Sequence, residues 1–527
     1  MAASDLEIGS FTDVGPWVVV PEEMPWRRDL DRLRQQARDQ VPQWLETGHL
    51  PPLGRLVRVV SQVGFAIAAW GVIDRRKGPA ASRTGISRRM RVAFSHLGTT
   101  YIKLGQIISG GEGLFPEELV VEFKLLRDRV PPEPFDVVRR VVELDLGRSL
   151  DDVFETFERT PIAAASIAQV HAARLRTGEE VVVKVQRPQV AKLVMQDIEA
   201  MAWLAPHLTG RIPIAALANP PALVELFAET IVEELDFRLE AENMLDVARV
   251  LAETNQRDLL VPRPHPKLVT RRVLVMERLY GMAWDDVEAM KSAGVDTEAV
   301  LHASLVAFME GAMLFGVFHG DMHGGNLMVT PEGKTVLMDF GITGRLDETK
   351  RMAFLMLLVG ATSGDPMAQL GALRDLGAFP PDTDLDKVFV ELNLDTAVDP
   401  TTLSADELVH WLQDLTKKLL SYGARAPKEL MLFVKNMMFL DGAIATLAPD
   451  LDILEEIQQI HTEIAMRHGE RLAAELGIDP EIVAQFDMDS VKAGMGIGAD
   501  VEKLTYKEVK ERREIVKQRL DEKRRRK

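Results

Sequence analysis

Cysteine is missing altogether from the 527 residues. The chain can therefore build no disulfide framework, no thiol nucleophile and no thiolate metal site, which suits a reducing compartment such as the cytoplasm. Positive charge is in deficit, with 63 Lys and Arg against 80 Asp and Glu and a formal charge of -17. That balance argues against nucleic acid as a partner, because neutralising phosphates takes clustered cations. The opening Met-Ala-Ala-Ser-Asp-Leu-Glu carries acids where a secretory leader has a basic segment followed by an apolar one, so export by that route is not expected. Long apolar runs are scarce as well. Val59–Ile73 is uncharged but spans only 15 residues and includes Ser61 and Gln62, short of the roughly 20 that cross a bilayer. Residues 426–447 are apolar but carry Lys435 and Asp441. These absences lead us to expect a cytoplasmic protein, soluble or peripheral to a membrane.

What is present is enough for a large folded protein: 46% hydrophobic and 27% charged residues support at least one sizeable core and two lobes with appendages. Residues 1–85 form a helical lead-in in which Val59–Ile73 is flanked by Arg55, Arg58, Arg75, Arg76 and Lys77. Cationic ends on an apolar helix suit either packing on the protein's own core or a contact with an anionic membrane surface. Residues 86–160 have a helical pattern. Then Pro161–Leu175, a turn at Thr177-Gly178 and Glu180–Gln186 form a β-hairpin pattern, because β-branched residues alternate around a glycine turn. Helix resumes over 190–255, followed by a β-rich run at Arg271–Met276 and a mostly helical second half. The order of hairpin, long helix, strand and helical half with a polar loop predicts an α+β, bilobal protein-kinase-like fold. Its parts are expected at 161–283 for the N-lobe and 284–475 for the C-lobe. The last 27 residues hold 12 Lys or Arg against 6 Asp or Glu and are read as a charged tail, 476–527, fraying from a solvated helix.

The sharpest chemical signal is His319-Gly320-Asp321-Met322-His323-Gly324-Gly325-Asn326, followed after 13 residues by Asp339-Phe340-Gly341. Moving a phosphoryl group from ATP needs oxygen ligands for Mg²⁺, and Asn326 and Asp339 are the amide and the carboxylate that such an ion prefers. Asp321, five residues before the asparagine, stands where a catalytic-loop carboxylate meets the attacking hydroxyl or water. A rival reading places a transition metal on His319, Asp321 and His323 at alternating strand positions. Lys184, at the end of an apolar strand, is suited to ATP phosphates if an acid holds it. The string Glu233-Glu234-Leu235-Asp236-Phe237-Arg238-Leu239-Glu240 supplies the acid on what should be one long helix, with Asp236, Glu240 and Asn243 on a shared face; Glu240 is the expected partner. Where a glycine-rich loop would cover the phosphates, the chain has Ala163-Ala164-Ala165-Ser166, small but without glycine's freedom at positive φ. Met276, Glu277 and Leu279 are expected to form the hinge that meets adenine.

The alanine loop, Lys184, Glu234-Leu235-Asp236, the His-Gly-Asp string and Asp-Phe-Gly together resemble the UbiB/AarF family of atypical kinases. Lys103-x-Gly105-Gln106 is similar to that family's own signature, and with Arg127–Pro132 it extends the likeness over about 90–345. The resemblance implies that 86–160 is a family-specific extension folded over the site, with Lys103 and Gln106 near the nucleotide and paired with Glu234 and Asp236. It also implies ATP or ADP with Mg²⁺ as cofactors, a small-molecule or lipid-like substrate, and a link to isoprenoid quinone or lipid metabolism. The residues agree on one point independently: Leu346–Lys350 leads straight into helix after Asp-Phe-Gly, with no long activation segment and no Ala-Pro-Glu, so peptide docking is lost while phosphate chemistry is kept. After Gln106, Ser109-Gly110-Gly111-Glu112 departs from the family's usual continuation. ATP hydrolysis or small-molecule phosphorylation is the reading; a nucleotide-responsive pseudokinase and a protein kinase acting in trans are its alternatives.

Overall fold

The computed structural model describes residues 8–46, 52–109, 116–126, 131–208, 220–394, 403, 407, 414–415, 418–419, 422–424, 427–495, 497–498 and 500–526. Arg127–Val130 and Gly110–Glu112 of the sequence reading fall outside them. The chain forms two compact units. The first comprises Met1–Ala248, Val261–Leu279 and Met338–Ile342, the second Arg249–Leu260, Tyr280–Leu337 and Thr343–Lys527.

In the first unit a helical module is built from α1 (Leu30–Leu45), α2 (Leu53–Ile73), α3 (Pro79–Leu97), α4 (Thr99–Ser109) and α5 (Glu117–Phe123). Their apolar faces share one core with α7 (Val190–Leu208) and α8 (Pro220–Glu234), through Trp44, Val63, Phe94, Tyr101, Phe123, Ile198 and Phe227. The glycine of Lys-x-Gly-Gln has a packing reason. A Cβ on Gly105 would lie 2.2 Å from Leu126 Cδ1 and 2.8 Å from Phe123 Cδ1, so only glycine lets α4 approach this close. A buried ion pair from Arg55 to Asp197 ties α2 to α7.

The run Val59–Ile73 belongs to a helix that starts at Leu53 and reaches 21 residues, which corrects the expectation that it is too short for a bilayer. Among the described residues three helices are long and apolar enough to cross a membrane: α2, Thr297–Phe315 and Lys428–Leu447. They differ in use. Of the most apolar 18-residue stretch of each, 67% is buried within the protein in Thr297–Phe315 but only 28% in α2 and in Lys428–Leu447, and α2 leaves Leu53, Val57, Phe65 and Val72 exposed.

The same unit carries a six-stranded antiparallel sheet, β1 (Phe154–Phe157), β3 (Ala168–Leu175), β4 (Glu180–Gln186), β7 (Val273–Glu277) and β6 (Pro264–Val269) in that order, with β2 (Ala163–Ala164) added to β3. The predicted hairpin is β3–β4, turning at Gly178 with φ of 105°. Strand alternation sorts its second arm: Val181, Val183 and Val185 are buried in a core with Val138, Val141 and Val142 of α6 (Phe135–Leu146), so Lys184 leaves on the opposite face.

The acidic string is not on one helix. α8 ends at Glu234 and α9 (Phe237–Glu253) begins at Phe237, leaving Leu235 and Asp236 in the break between them. Asp236 Oδ1 accepts from the backbone N–H of Arg238 at 3.1 Å, a local bond that competes with continuing the helix.

The second unit is mostly helical. Its sheet orders β5 (Leu259–Leu260), β11 (Thr335–Leu337), β10 (Leu327–Val329) and β8 (Met282–Ala283), and β9 (Val317–His319) pairs with β12 (Thr343–Arg345). Around these lie α10 (Thr297–Glu310), α11 (Glu348–Ser363), α12 (Lys428–Leu447) and α13 (Ile453–Leu476). Phe433 of α12 packs edge-on against Phe354 of α11 and Phe318 of β9 and stacks on Phe308 of α10, with ring centroids 4.6, 6.0 and 5.1 Å apart. The basic C-terminal stretch is helical over Tyr506–Arg526, not frayed as expected.

Candidate functional site

In the first unit Lys184 has two acidic partners. Its ammonium donates to Glu240 Oε1 at 2.6 Å and to Asp339 Oδ1 at 3.0 Å, and it lies 5.4 Å from the centre of the Phe237 ring. β4 delivers the lysine and the first turn of α9 delivers Glu240. Asp339 arrives from the Met338–Ile342 segment with φ of 58°, in the left-handed region that few residues other than Gly, Asn and Asp adopt. That conformation is tied down on both sides. Asp339 Oδ1 also accepts from Gly341 N at 3.3 Å, and buried Asn243 of α9 donates to Phe340 O at 2.9 Å. A Cβ on Gly341 would sit 3.3 Å from both Asp339 Oδ1 and Glu234 Cγ.

The electrostatics follow from burial. Burial alone would push the Lys184 ammonium down, but the Asp339 and Glu240 carboxylates outweigh it and hold the lysine above its usual range, so it stays cationic. Burial pushes Glu240 up to about 7 despite Lys184, with Asp339 adding to the rise. Asp339 is the outward member, 45% exposed at its side chain against 3% for Glu240. Two carboxylates on one ammonium leave a negative surplus at the exposed oxygen, which is the donor chemistry a hard cation takes.

The other predicted residues of this unit have partners of their own. Lys103 of α4 pairs with Glu234 at 3.1 Å, Gln106 is half-buried one turn on, and Asp236 is held by the Arg238 guanidinium at 2.6 Å. Ala163 and Ala164 form β2, and the chain reverses through Ala165 and Ser166, where Ala165 N donates to Ala168 O at 2.8 Å. Arg187, which the sequence reading passed over, staples this loop. It donates to Ala165 O at 3.0 Å, Glu133 Oε1 at 2.9 Å and Pro131 O at 3.0 Å, joining the loop to the stretch after Arg127–Val130. Met276 and Glu277 end β7, and Leu279 is half-buried beyond it. The Glu277 carboxylate is occupied by Thr12 Oγ1 at 2.6 Å and by the fully buried Arg263 at 3.2 Å, and its N–H donates to Arg263 O.

The second unit gathers its own polar cluster at the turn after β9. Asn326 Nδ2 donates to Asp321 O at 3.0 Å and its N–H to His323 O at 2.8 Å, so amide and carboxylate sit on one closed loop. Asp321 Oδ1 accepts from the Lys435 ammonium of α12. Next to it, buried Asn436 donates to His319 O and accepts from Met322 N at 2.8 Å. Neither residue was singled out as functional. The available signal was a lysine and an asparagine side by side within the apolar run Leu430–Leu440 of α12, where they need partners. The metal-centre reading loses its geometry: β9 ends at His319, so Asp321 and His323 do not continue it, and the Nδ1 atoms of His319 and His323 accept backbone N–H bonds from Asp321 and Gly325. Among the described residues no group of three or more His, Asp or Glu gathers as metal ligands.

A family model described as the ABC1 atypical kinase-like domain matches residues 125–370. An uncharacterized Mycobacterium tuberculosis protein is 35% identical over 395 residues, covering 73% of this chain and 78% of that one. The chain belongs to the ABC1, or UbiB/aarF, atypical kinase-like family. An aarF domain-containing protein kinase of Arabidopsis thaliana, described as uncharacterized and chloroplastic, is 32% identical across 70% of this chain and 73% of its own. A probable protein kinase UbiB of Aeromonas hydrophila is also 32% identical, across 70% and 69%. Membership gives the α+β chain its kinase-like, bilobal fold and an atypical kinase-like function.

Proposed function

We propose that the chain binds Mg-ATP and passes its terminal phosphoryl group to water or to a small molecule, in the service of isoprenoid quinone or lipid metabolism. The observation that carries this reading is Lys184 held between Glu240 at 2.6 Å and Asp339 at 3.0 Å. Lys184 takes the phosphate oxygens, as a point charge whose position Glu240 fixes. Asp339 and Asn326 are the oxygen ligands for magnesium, which when bound neutralises phosphate charge. Asp321 orients the acceptor hydroxyl or water. The backbone around Ala163, Ala164, Ala165 and Ser166 covers the phosphates, and Met276, Glu277 and Leu279 meet adenine. Lys103 and Gln106, with Glu234 and Asp236, form the lid. The exposed apolar residues Val60, Phe65, Val72 and Ile73 of α2 lie between Arg58 and the Arg75, Arg76, Lys77 group, a charge pattern suited to an anionic membrane surface and to a lipid-like substrate.

Phosphate release by the purified protein, with and without vesicles of anionic phospholipid, tests the reading. Magnesium-dependent release that anionic vesicles increase is expected. Absence of release under both conditions would refute turnover and leave a nucleotide-responsive binding module.

A further inference from the structure

The pair Lys435-Asn436 has no role in the site as read from the catalytic string, yet it touches that string at three points. Asn436 spends both ends of its amide on the loop, one on His319 O and the other on Met322 N, the residues two before and one after Asp321. Lys435 takes Asp321 Oδ1 itself, while Oδ2 lies 4.0 Å from His323 Nε2. Asn436 is fully buried, and the side chains of Lys435 and Asp321 are 24% and 17% exposed. The surrounding helix reads Leu-Met-Leu-Phe-Val-Lys-Asn-Met-Met-Phe-Leu, and Phe433, two residues before the pair, packs it onto Phe318 of β9. A polar pair in such a run is costly unless its hydrogen bonds are met, and here a single loop meets them.

We propose that Lys435 and Asn436 are positioning residues for phosphoryl transfer, Asn436 fixing the backbone on either side of Asp321 and Lys435 fixing its carboxylate. The inference rests on the Mg-ATP reading above. In that reaction the acceptor oxygen forms a bond to the terminal phosphorus as the bond from that phosphorus to the bridging oxygen breaks and ADP leaves. The acceptor's proton passes to Asp321 Oδ2 or to solvent, and Lys435 neither gains nor loses one. With Oδ1 held by the ammonium, Asp321 has a set rotamer, and Oδ2, on the His323 side, is the oxygen that meets the acceptor. A lysine 114 residues downstream thus reaches the carboxylate of a loop that has no lysine or arginine of its own.

The test uses the full chain and reads phosphate release together with Mg-ATP affinity for K435M, K435R, D321N and K435M/D321N, with thermal melts of each. K435M is expected to lower kcat by about 10- to 100-fold while the Kd for Mg-ATP changes less than about twofold, a split that loss of an orienting contact produces and general unfolding does not. K435R should recover most of that loss. In the D321N background K435M should add less than about twofold, because the lysine acts only through the carboxylate. Unchanged kcat in K435M, an equal further loss in the double variant, or a parallel fall in affinity and melting temperature would overturn the proposal. No phosphate release by the wild type would bring down the Mg-ATP reading first, and this inference with it.

Discussion

The proposed reaction draws on two polar clusters, and they balance charge differently. Around Lys184 there are two carboxylates for one ammonium, with Asp339 exposed at the open end. Around Asp321 there is one carboxylate for one ammonium, with the pair mostly covered. The first has negative charge to spare and suits a metal bound to phosphate; the second is self-neutralised and suits an uncharged hydroxyl or water. Their supports differ as well. Lys184 joins Glu240 to Asp339, and Asn243 holds the neighbouring backbone at Phe340 O, all within a strand-and-helix frame, whereas Asp321 depends on a helix that returns from far along the chain.

The strongest way to break this contrast is to remove the spare charge. Asp339→Asn should abolish magnesium-dependent phosphate release, a loss of more than about 100-fold, with circular dichroism and melting temperature close to wild type; retained turnover would show that the surplus has no metal role. Asp321→Asn acts on the neutral cluster and should lower kcat by roughly 100-fold while Mg-ATP affinity holds, since the proposed reaction sets that carboxylate against the acceptor. Equal losses of affinity in both variants would erase the distinction between the clusters.

The supports can be tested apart from the chemistry. Truncating Phe433, which seats α12 on β9, should destabilise the protein by about 3–5 kcal/mol in denaturant melts. A control for charge count is His302, which sits between Glu456 at 2.8 Å and Glu463 at 3.2 Å with no motif attached. The hydrogen bond to Glu456, with help from Glu463, outweighs burial and raises His302 to about 9. Because that value lies above the unfolded one, its contribution is full below about pH 6.5 and is lost as pH rises through about 9. His302→Gln should cost about 1 kcal/mol at pH 6, after screening of a partly exposed site, and nothing at pH 10; a pH-independent cost would contradict the ion pair.

Much of this was legible before the structure, for physical reasons that can be named. The run Val-Val-Val-Lys-Val marked a strand bearing Lys184, and the glycine at 178 marked the hairpin turn, but which face Lys184 leaves by came only from the burial of Val181, Val183 and Val185. Motif spacing brought Asp321 and Asn326 onto one loop, because five residues close a turn. Periodicity alone could not show the break at Leu235 and Asp236, where a side chain competes for a backbone N–H, nor that α2 begins six residues before its apolar run. Lys435, Asn436 and Arg187 were illegible for a different reason. Each acts on backbone or side-chain atoms far away in sequence, and a single chain carries no mark of which distant loop a polar residue will meet.

Calorimetric titration of ATP into the wild type and Lys184→Met, each with magnesium and with EDTA, addresses the central claim most directly. The account predicts saturable binding to the wild type in magnesium, weakened at least about tenfold both by EDTA and by the substitution. Equal affinity in all four titrations, or no binding in any of them, would contradict it.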